Sequence, residues 1–196
     1  MRVLGIAGSP RRGGNTDILL EELLKGAASK GAETKTLVLR DMDYSPCTHC
    51  DGCIKTGNCI VKDEMQDIYK DFEDADVIVM ASPIQFTNIT AQMKGMIDRF
   101  QARWVRKYVL KLPPLGDSRE RKGFFISVGG RKAKNLFEPA IEMITTFFRI
   151  IDVSYAGELL FKGVDEKGAI KDHPDALGQA YAAGEKLASG QAVNPE

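Results

Sequence analysis

Short apolar runs alternate with amphipathic segments along this chain, and the alternation restricts the folds that it can adopt. The strand-like runs lie at residues 2–7, 34–39, 76–81, 124–128 and 153–161. The segments with helical spacing of apolar residues lie at 15–31, 63–72, 90–104, 136–151 and 174–188. Parallel strands need crossover connections, so strands that alternate with helices predict a parallel sheet covered on both faces.

One domain accounts for this pattern. We expect an α/β fold over residues 1–196, a flavodoxin-like, doubly wound five-stranded parallel sheet that binds ligands at the carboxyl ends of its strands. Two segments interrupt the alternation. One is a cysteine-rich loop at 44–62, after the second strand. The other is a surface excursion at 106–121, which is an interface arm, a substrate-site flap or an ordinary solvated loop.

All four cysteines of the chain lie within thirteen residues, at Cys47, Cys50, Cys53 and Cys59. Two-residue gaps let consecutive thiolates turn inward around one small object, and this compact spacing predicts a 4Fe–4S cluster. A structural zinc ion more often uses two cysteine pairs separated by a longer hairpin or helix. Disulfides suit small secreted domains, and residues 1–9 indicate a buried strand rather than a signal peptide. Zinc and redox-active thiols stay open as alternatives.

Charge and hydropathy exclude some functional classes. The 27 basic residues equal the 27 acidic residues, so general nucleic-acid binding is disfavoured. No apolar run reaches transmembrane length, so we expect no membrane contact, and free cysteines without a signal sequence predict a cytoplasmic protein. One set of basic residues recurs at about one helical turn and predicts a solvated face, or else a docking surface for an acidic partner or for the 2′-phosphate of NADPH. This set is Arg99, Arg103, Arg106, Lys107 and Lys111.

The loop after the first strand has the features that a phosphate monoester needs. Gly13 and Gly14 let backbone N–H groups approach closely, and a helix N-terminus follows. The candidate side-chain donors are Ser9, Arg11 or Arg12, Asn15 and Thr16. The loop lacks the lysine of a Walker loop and the G-x-G-x-x-G of a dinucleotide fingerprint. A single terminal phosphate, as on FMN, therefore fits better than a pyrophosphate, and the alternative is a turn that only caps the helix.

Two further loops follow strands at the same predicted edge of the sheet. The first can supply backbone groups to the rim of an isoalloxazine ring and an apolar side chain to its face; its candidate residues are Pro83, Ile84, Gln85, Phe86 and Asn88. The second contains Gly129 and Gly130, beside which a ring can lie without steric conflict. Each loop alone is weak evidence, but the three loops together predict a flavin cradle.

These motifs resemble those of the iron–sulfur flavoproteins in the NADPH-dependent FMN reductase superfamily. The family's G-S-P-R-x-x-G-N-T loop is matched by residues 8–16, with Gly14 among the matching positions. Its compact cysteine motif is matched by the four cysteines, and its S-P-I-Y-F-x-N stretch by residues 82–88. Gln85 stands where relatives commonly carry tyrosine. The resemblance covers the first hundred or so residues by motif and the remainder by architecture.

The resemblance implies an oxidoreductase with FMN and a 4Fe–4S cluster, which transfers electrons between a two-electron donor such as NAD(P)H and one-electron carriers. Its partners would be a ferredoxin-like or other redox carrier, or a small-molecule acceptor. It also implies a homodimer or homotetramer with the flavin at a subunit interface. No general base or nucleophile is required. The alternatives are an NAD(P)H-dependent FMN or quinone reductase without a cluster, and a non-catalytic flavin- or metal-binding regulatory module.

Overall fold

The computed structural model describes residues 1–191 and 193. These residues contain one five-stranded sheet, made of β1 Arg2–Ala7, β2 Glu33–Val38, β3 Val77–Pro83, β4 Lys122–Gly129 and β5 Ser154–Lys162. All neighbouring strands pair in parallel, in the order β2-β1-β3-β4-β5. This is the flavodoxin-like order, and it confirms the predicted fold class.

Helices cover both faces of the sheet. They are α1 Asn15–Ser29, α2 Met65–Asp74, α3 Ala91–Arg99, α4 Gln101–Trp104, α5 Glu138–Ile150 and α6 Ala176–Ala188. Successive strand residues point to opposite faces, so Val3 joins the core beneath α1 and α6, whereas Leu4 joins the core beneath α2, α3 and α5. The three central strands, β1, β3 and β4, are buried on both faces, which explains why they are continuous apolar runs, whereas the edge strands β2 and β5 are more exposed.

The helix predicted over 90–104 is interrupted. Its first part, α3, is capped by Thr90, whose hydroxyl accepts from Met93 N and donates to the Gly8 carbonyl at 2.6 Å. Phe100 follows α3 with ψ near 2°, and its ring packs in the core against Phe72 and other aromatic rings. The chain then continues as α4 and a π-helical turn over Val105–Val109. The start of α3 is thereby fixed to the loop that follows β1.

The second half of the 106–121 excursion packs at the amino end of the sheet. Leu115 and Arg121 are both buried. The Arg121 guanidinium donates to the carbonyls of Ala75 and Glu73, immediately before β3, at 3.1 and 2.7 Å. This part of the excursion therefore lies at the edge of the sheet opposite the phosphate loop. Within residues 1–191 and 193, no helix is long and apolar enough to cross a bilayer.

Candidate functional site

Loops at the carboxyl edge of the sheet enclose a cavity of about 140 Å³. Ten of the residues predicted to bind the cofactor line it: Ser9, Arg11, Gly14, Asn15, Thr16, Pro83, Ile84, Gln85, Gly129 and Gly130. A second cavity of about 380 Å³ adjoins it and shares Ile84 and the two glycines. Phe86, Thr87, Arg131 and Leu136 complete the lining of this second cavity. The two cavities together form a continuous site along the ends of β1, β3 and β4.

Phe86 occupies the tip of a tight turn beside the second cavity. Gln85 and Asn88 exchange two backbone hydrogen bonds of 2.8 and 3.0 Å, and both central residues of the turn have left-handed φ angles. The Phe86 side chain is fully exposed. Asn88 lines neither cavity, and its side-chain oxygen instead accepts from Ile89 N at 2.8 Å. Asn88 thus supports the turn through its backbone and side chain, and its predicted contact with the cofactor stays a prediction.

The smaller cavity has the donors that a phosphate group needs. Thr16 is 1% exposed, and its hydroxyl has no hydrogen-bond partner within the described residues. The first backbone N–H groups of α1 have no partner inside the helix. A Cβ atom on Gly14 would lie 2.9 Å from Ser9 Oγ, so only glycine leaves the backbone this accessible. A phosphate at this point would satisfy the buried hydroxyl and the helix N-terminus, so the residues fit the group.

A loop that the sequence analysis missed closes over the phosphate loop. This loop, residues 163–170, follows β5. The Asn15 amide donates to the Glu166 carbonyl at 2.9 Å and accepts from Ile170 N at 3.3 Å. Arg11 donates to the Asp165 carbonyl at 3.4 Å. Asn15 and Arg11 therefore hold this loop in place. The sequence signal for it was a loop bounded by Gly163 and Gly168 directly after a strand.

An ion pair behind the phosphate loop fixes its shape. Asp17 accepts from Gly13 N at 3.1 Å and from Arg40 at 2.9 Å, and Arg40 also donates to the Ser9 carbonyl at 3.1 Å. Burial raises the pKa of Asp17, although Arg40 and the backbone donors oppose this shift. Neither Asp17 nor Arg40 was predicted, because their role depends on a contact between α1 and the segment after β2.

The four cysteines line a third, separate cavity of about 390 Å³, and all four are free thiols. The pKa of the Cys53 thiol is raised by its burial and then by the charges of the other three cysteines, so the four groups lie close enough to interact. Within residues 1–191 and 193, no three potential ligands are grouped tightly enough for a single metal ion. A tetrahedral zinc ion needs sulfur atoms about 3.8 Å apart, whereas a cubane cluster occupies a wider cage. Four thiols around one cavity are the ligand set of a 4Fe–4S cluster, so the residues fit that group by their chemistry.

The cysteine cavity lies away from the phosphate loop, along α3. Tyr44, just before the cysteines, donates to the Gln92 carbonyl at 2.7 Å. Arg99, Trp104 and residues of the π-helical turn form the wall of the cavity. The start of α3 contacts the phosphate loop and its last residue lines the cysteine cavity, a separation of about 14 Å along the helix axis. The flavin-type and cysteine sites are therefore distinct.

The predicted solvated basic face is wrong for two of its members. Arg99 is 2% exposed and Arg103 is 5% exposed. Arg99 pairs with Asp63 at 2.6 Å, and Arg103 pairs with Glu73 at 2.8 Å. The two guanidiniums are buried against the cysteine segment, and each pairs with a carboxylate that is itself partly exposed.

The sequence model of the NADPH-dependent FMN reductase family matches residues 1–151. The chain belongs to this family. It is similar to an iron–sulfur flavoprotein of Archaeoglobus fulgidus, with 38% identity over 74% of this chain and 70% of the relative. It is also similar to an iron–sulfur flavoprotein of Methanocaldococcus jannaschii, with 32% identity over 81% and 77% of the two chains. These relatives place it with the iron–sulfur flavoproteins of the superfamily.

The fold is also seen in a solved relative. The structure of an NAD(P)H:quinone oxidoreductase from Methanothermobacter marburgensis has a TM-score of 0.70 and 16% identity, over 95% of this chain and 96% of that one. At this identity the likeness supports the fold alone. Membership in the FMN reductase family makes the chain an oxidoreductase, as expected from its sequence.

Proposed function

We propose that the protein is an FMN-containing iron–sulfur flavoprotein that transfers electrons between a two-electron donor and one-electron carriers. The observation that carries the proposal is the presence of two separate donor sets in one chain: a phosphate-type cradle with an unpartnered buried hydroxyl, and four free thiols around one cavity. FMN exchanges one or two electrons and a cluster exchanges one, so a protein that holds both connects the two kinds of carrier.

Three strand-terminal loops would hold FMN. The Thr16 hydroxyl and the N-terminus of α1 would receive its phosphate. Gly129 and Gly130 leave room for the ring, because a side chain on either would clash with Leu136 or Asp165. Ile84 lies beside Gly129 and lines both cavities, where it would supply an apolar contact to the ring. NAD(P)H is the proposed electron donor, and the exposed Phe86 turn borders the opening through which it would reach the ring.

The four thiolates would hold the cluster. Their cavity is lined mainly by apolar groups, among them Ile54, Ile60 and Val109. Cys50 is exposed and the other three cysteines are half-buried, so a cluster here would be partly open to solvent, and solvent exposure is one of the properties that set a cluster's potential.

The second candidate function is an NAD(P)H-dependent FMN or quinone reductase without a cluster. One observation favours it: within the described part of the chain, no three cysteines are close enough to form a metal-ion site as they stand. In that case the thiols would take no part in flavin chemistry.

We propose further that the protein assembles as a homodimer or homotetramer. The flavin-type and cysteine sites lie at opposite ends of α3, so electron transfer between them within one subunit would have to cover that length. A subunit interface that brings one cysteine cavity to the flavin of a neighbour would shorten the distance. The external partner would be a ferredoxin-like or other redox carrier, or a small-molecule acceptor.

Anaerobic purification tests the proposal. We expect released FMN, and about four irons and four sulfides per chain. Cys50→Ala should lose iron and sulfide while it retains FMN, because the cysteine cavity and the phosphate loop share no lining residue. Thr48→Ala, an exposed change in the same loop, is the matched control and should retain both groups. Released FAD, or no flavin after reconstitution, would contradict FMN binding. Zinc or no metal in iron-supplemented protein would favour the reductase without a cluster.

A further inference from the structure

Two buried arginines lie directly beneath the cysteine segment, and the function described above gives them no role. Arg99 ends α3 and Arg103 belongs to α4. Their exposures of 2% and 5% are unusual for a residue type that is almost never fully buried unless paired. Replacing a buried ion pair by apolar residues is often neutral or stabilising. Stability alone therefore does not explain two buried guanidiniums four residues apart, each paired with a partly exposed carboxylate.

Arg99 joins the two ends of the cysteine segment. One of its Nη atoms donates to the Ser45 carbonyl at 2.8 Å and to Asp63 at 2.6 Å, and the other donates to Asp63 at 3.0 Å. Asp63 also accepts from Ser45 N at 3.3 Å and from Met65 N at 3.2 Å. A single guanidinium therefore closes the loop that contains all four cysteines, at the point where this loop leaves and rejoins the domain.

Arg103 holds the same segment from within. It donates to the Gly57 carbonyl at 3.3 Å and to the Asn58 side chain at 3.2 Å, immediately before Cys59. Its guanidinium lies 4.4 Å from the centre of the Tyr69 ring, and Glu73 accepts from its other end. The contacts of Arg103 thus fix the position of the fourth cysteine relative to the core.

The two arginines also bring positive charge to the cysteines. The Nε atoms of both are buried and have no hydrogen-bond partner within the described residues. Arg99 lines the cysteine cavity, whereas its partner Asp63 does not, so the cation is the nearer charge of this pair; Asp51 adds an anion to the same lining. Arg103 donates to Gly57 and Asn58, immediately before Cys59. A cation at this distance stabilises negative charge on the cysteines.

We propose that Arg99 and Arg103 are positioning residues of the cysteine site, with a second effect on its charge. They hold the four thiols around the cavity before any metal arrives, so metal binding does not have to order the loop over residues 46–62. When the thiols bind a cluster, the nearby cations stabilise its more negative, reduced state and raise its reduction potential. The second effect rests on the proposed function, and the first does not.

The first test uses the metal-free protein. Hydrogen–deuterium exchange of residues 46–62 should be about tenfold faster or more in Arg99→Gln than in wild type, because the guanidinium's three hydrogen bonds to Ser45 and Asp63 at the base of the loop are lost. Asp63→Asn should have the same effect on exchange. Arg119→Gln is the matched control, since Arg119 forms an exposed pair with Asp117. Unchanged exchange in both cysteine-loop variants would overturn the proposed positioning role.

The second test separates charge from geometry in the iron- and sulfide-reconstituted protein. Arg99→Gln removes a cation and should lower the midpoint potential, whereas Asp63→Asn removes an anion and should raise it. Arg99→Lys keeps the charge without the planar fork, so it should retain the potential but not the slow exchange. A shift of the Gln and Asn variants in the same direction would overturn the charge effect. If wild type takes up no iron and sulfide, the proposed function fails, while the exchange comparison still decides the positioning role.

Discussion

At the scale of single residues, the buried hydroxyl of Thr16 is the most specific indication of a ligand. A buried polar atom without a hydrogen-bond partner costs free energy, and such groups are rare in folded proteins. Thr16 lies in the first turn of α1, where the helix dipole and free N–H groups favour an anion. Asn15 and Arg11 have protein partners in the 163–170 loop, so Thr16 has the least to lose in the protein and the most to gain from phosphate.

Thr16→Val should therefore weaken FMN binding without destabilising the flavin-free protein. The change removes one hydrogen bond to a charged group, worth about 1.5–3 kcal/mol, so the dissociation constant should rise roughly ten- to hundredfold. Flavin fluorescence titration measures the affinity, and urea denaturation of the flavin-free protein measures the stability. Thr36→Val, on an exposed strand position, is the control and should change neither. An unchanged affinity in Thr16→Val would mean that the phosphate lies elsewhere.

At the scale of elements, α1, whose N-terminus follows the phosphate loop, packs closely against α6. The two helices touch through glycines: a Cβ on Gly184 would overlap the Leu23 carbonyl, and a Cβ on Gly26 would overlap the Tyr181 carbonyl. Both obstacles are backbone atoms, which cannot move without shifting a whole helix. The close approach lets Ala180 and Ala183 pack against the same core as Leu19 and its neighbours on α1.

Gly184→Ala should accordingly destabilise the protein by about 1–3 kcal/mol or more, since the helices must separate to admit the methyl group. Gly178→Ala is a matched control in the same helix, where an added Cβ meets nothing within 4 Å. This control should be neutral or stabilise by about 0.5–1 kcal/mol, because alanine favours the helix. Urea denaturation of both variants measures the difference. Equal stabilities would indicate that the helices do not approach as closely as described.

The sequence predicted the elements better than their ends or their connections. The β1 range agrees with the structure because a buried apolar run is bounded by charged and turn-forming residues on both sides. The break at Phe100 was missed because it depends on aromatic packing against Phe72, a tertiary contact with no local signal. Loop 163–170 was missed for a related reason: its contact with Asn15 joins residues about 150 positions apart.

At the scale of the whole molecule, the two candidate sites face different surfaces. Motif spacing predicted both sets of ligands, but it did not indicate that the cysteine segment folds along α3 or that buried arginines lie beneath it. Around the cysteine cavity, several large apolar side chains are exposed: Ile54, Ile60, Trp104, Tyr108, Val109 and Leu112. Exposed apolar side chains concentrated in one region are typical of an interaction surface.

We therefore expect at least a homodimer in which this surface is buried and the cysteine site of one subunit faces the flavin of its neighbour. Replacing Trp104 and Tyr108, whose rings lie 5.4 Å apart, with alanine should weaken assembly before it affects flavin binding. Light scattering across micromolar concentrations measures assembly, and flavin content is measured on the same samples. Tyr181→Ala, an exposed aromatic on α6, is the control and should leave assembly unchanged. A wild-type monomer would contradict this arrangement, and loss of flavin before loss of assembly would place these two aromatic residues in the flavin site instead.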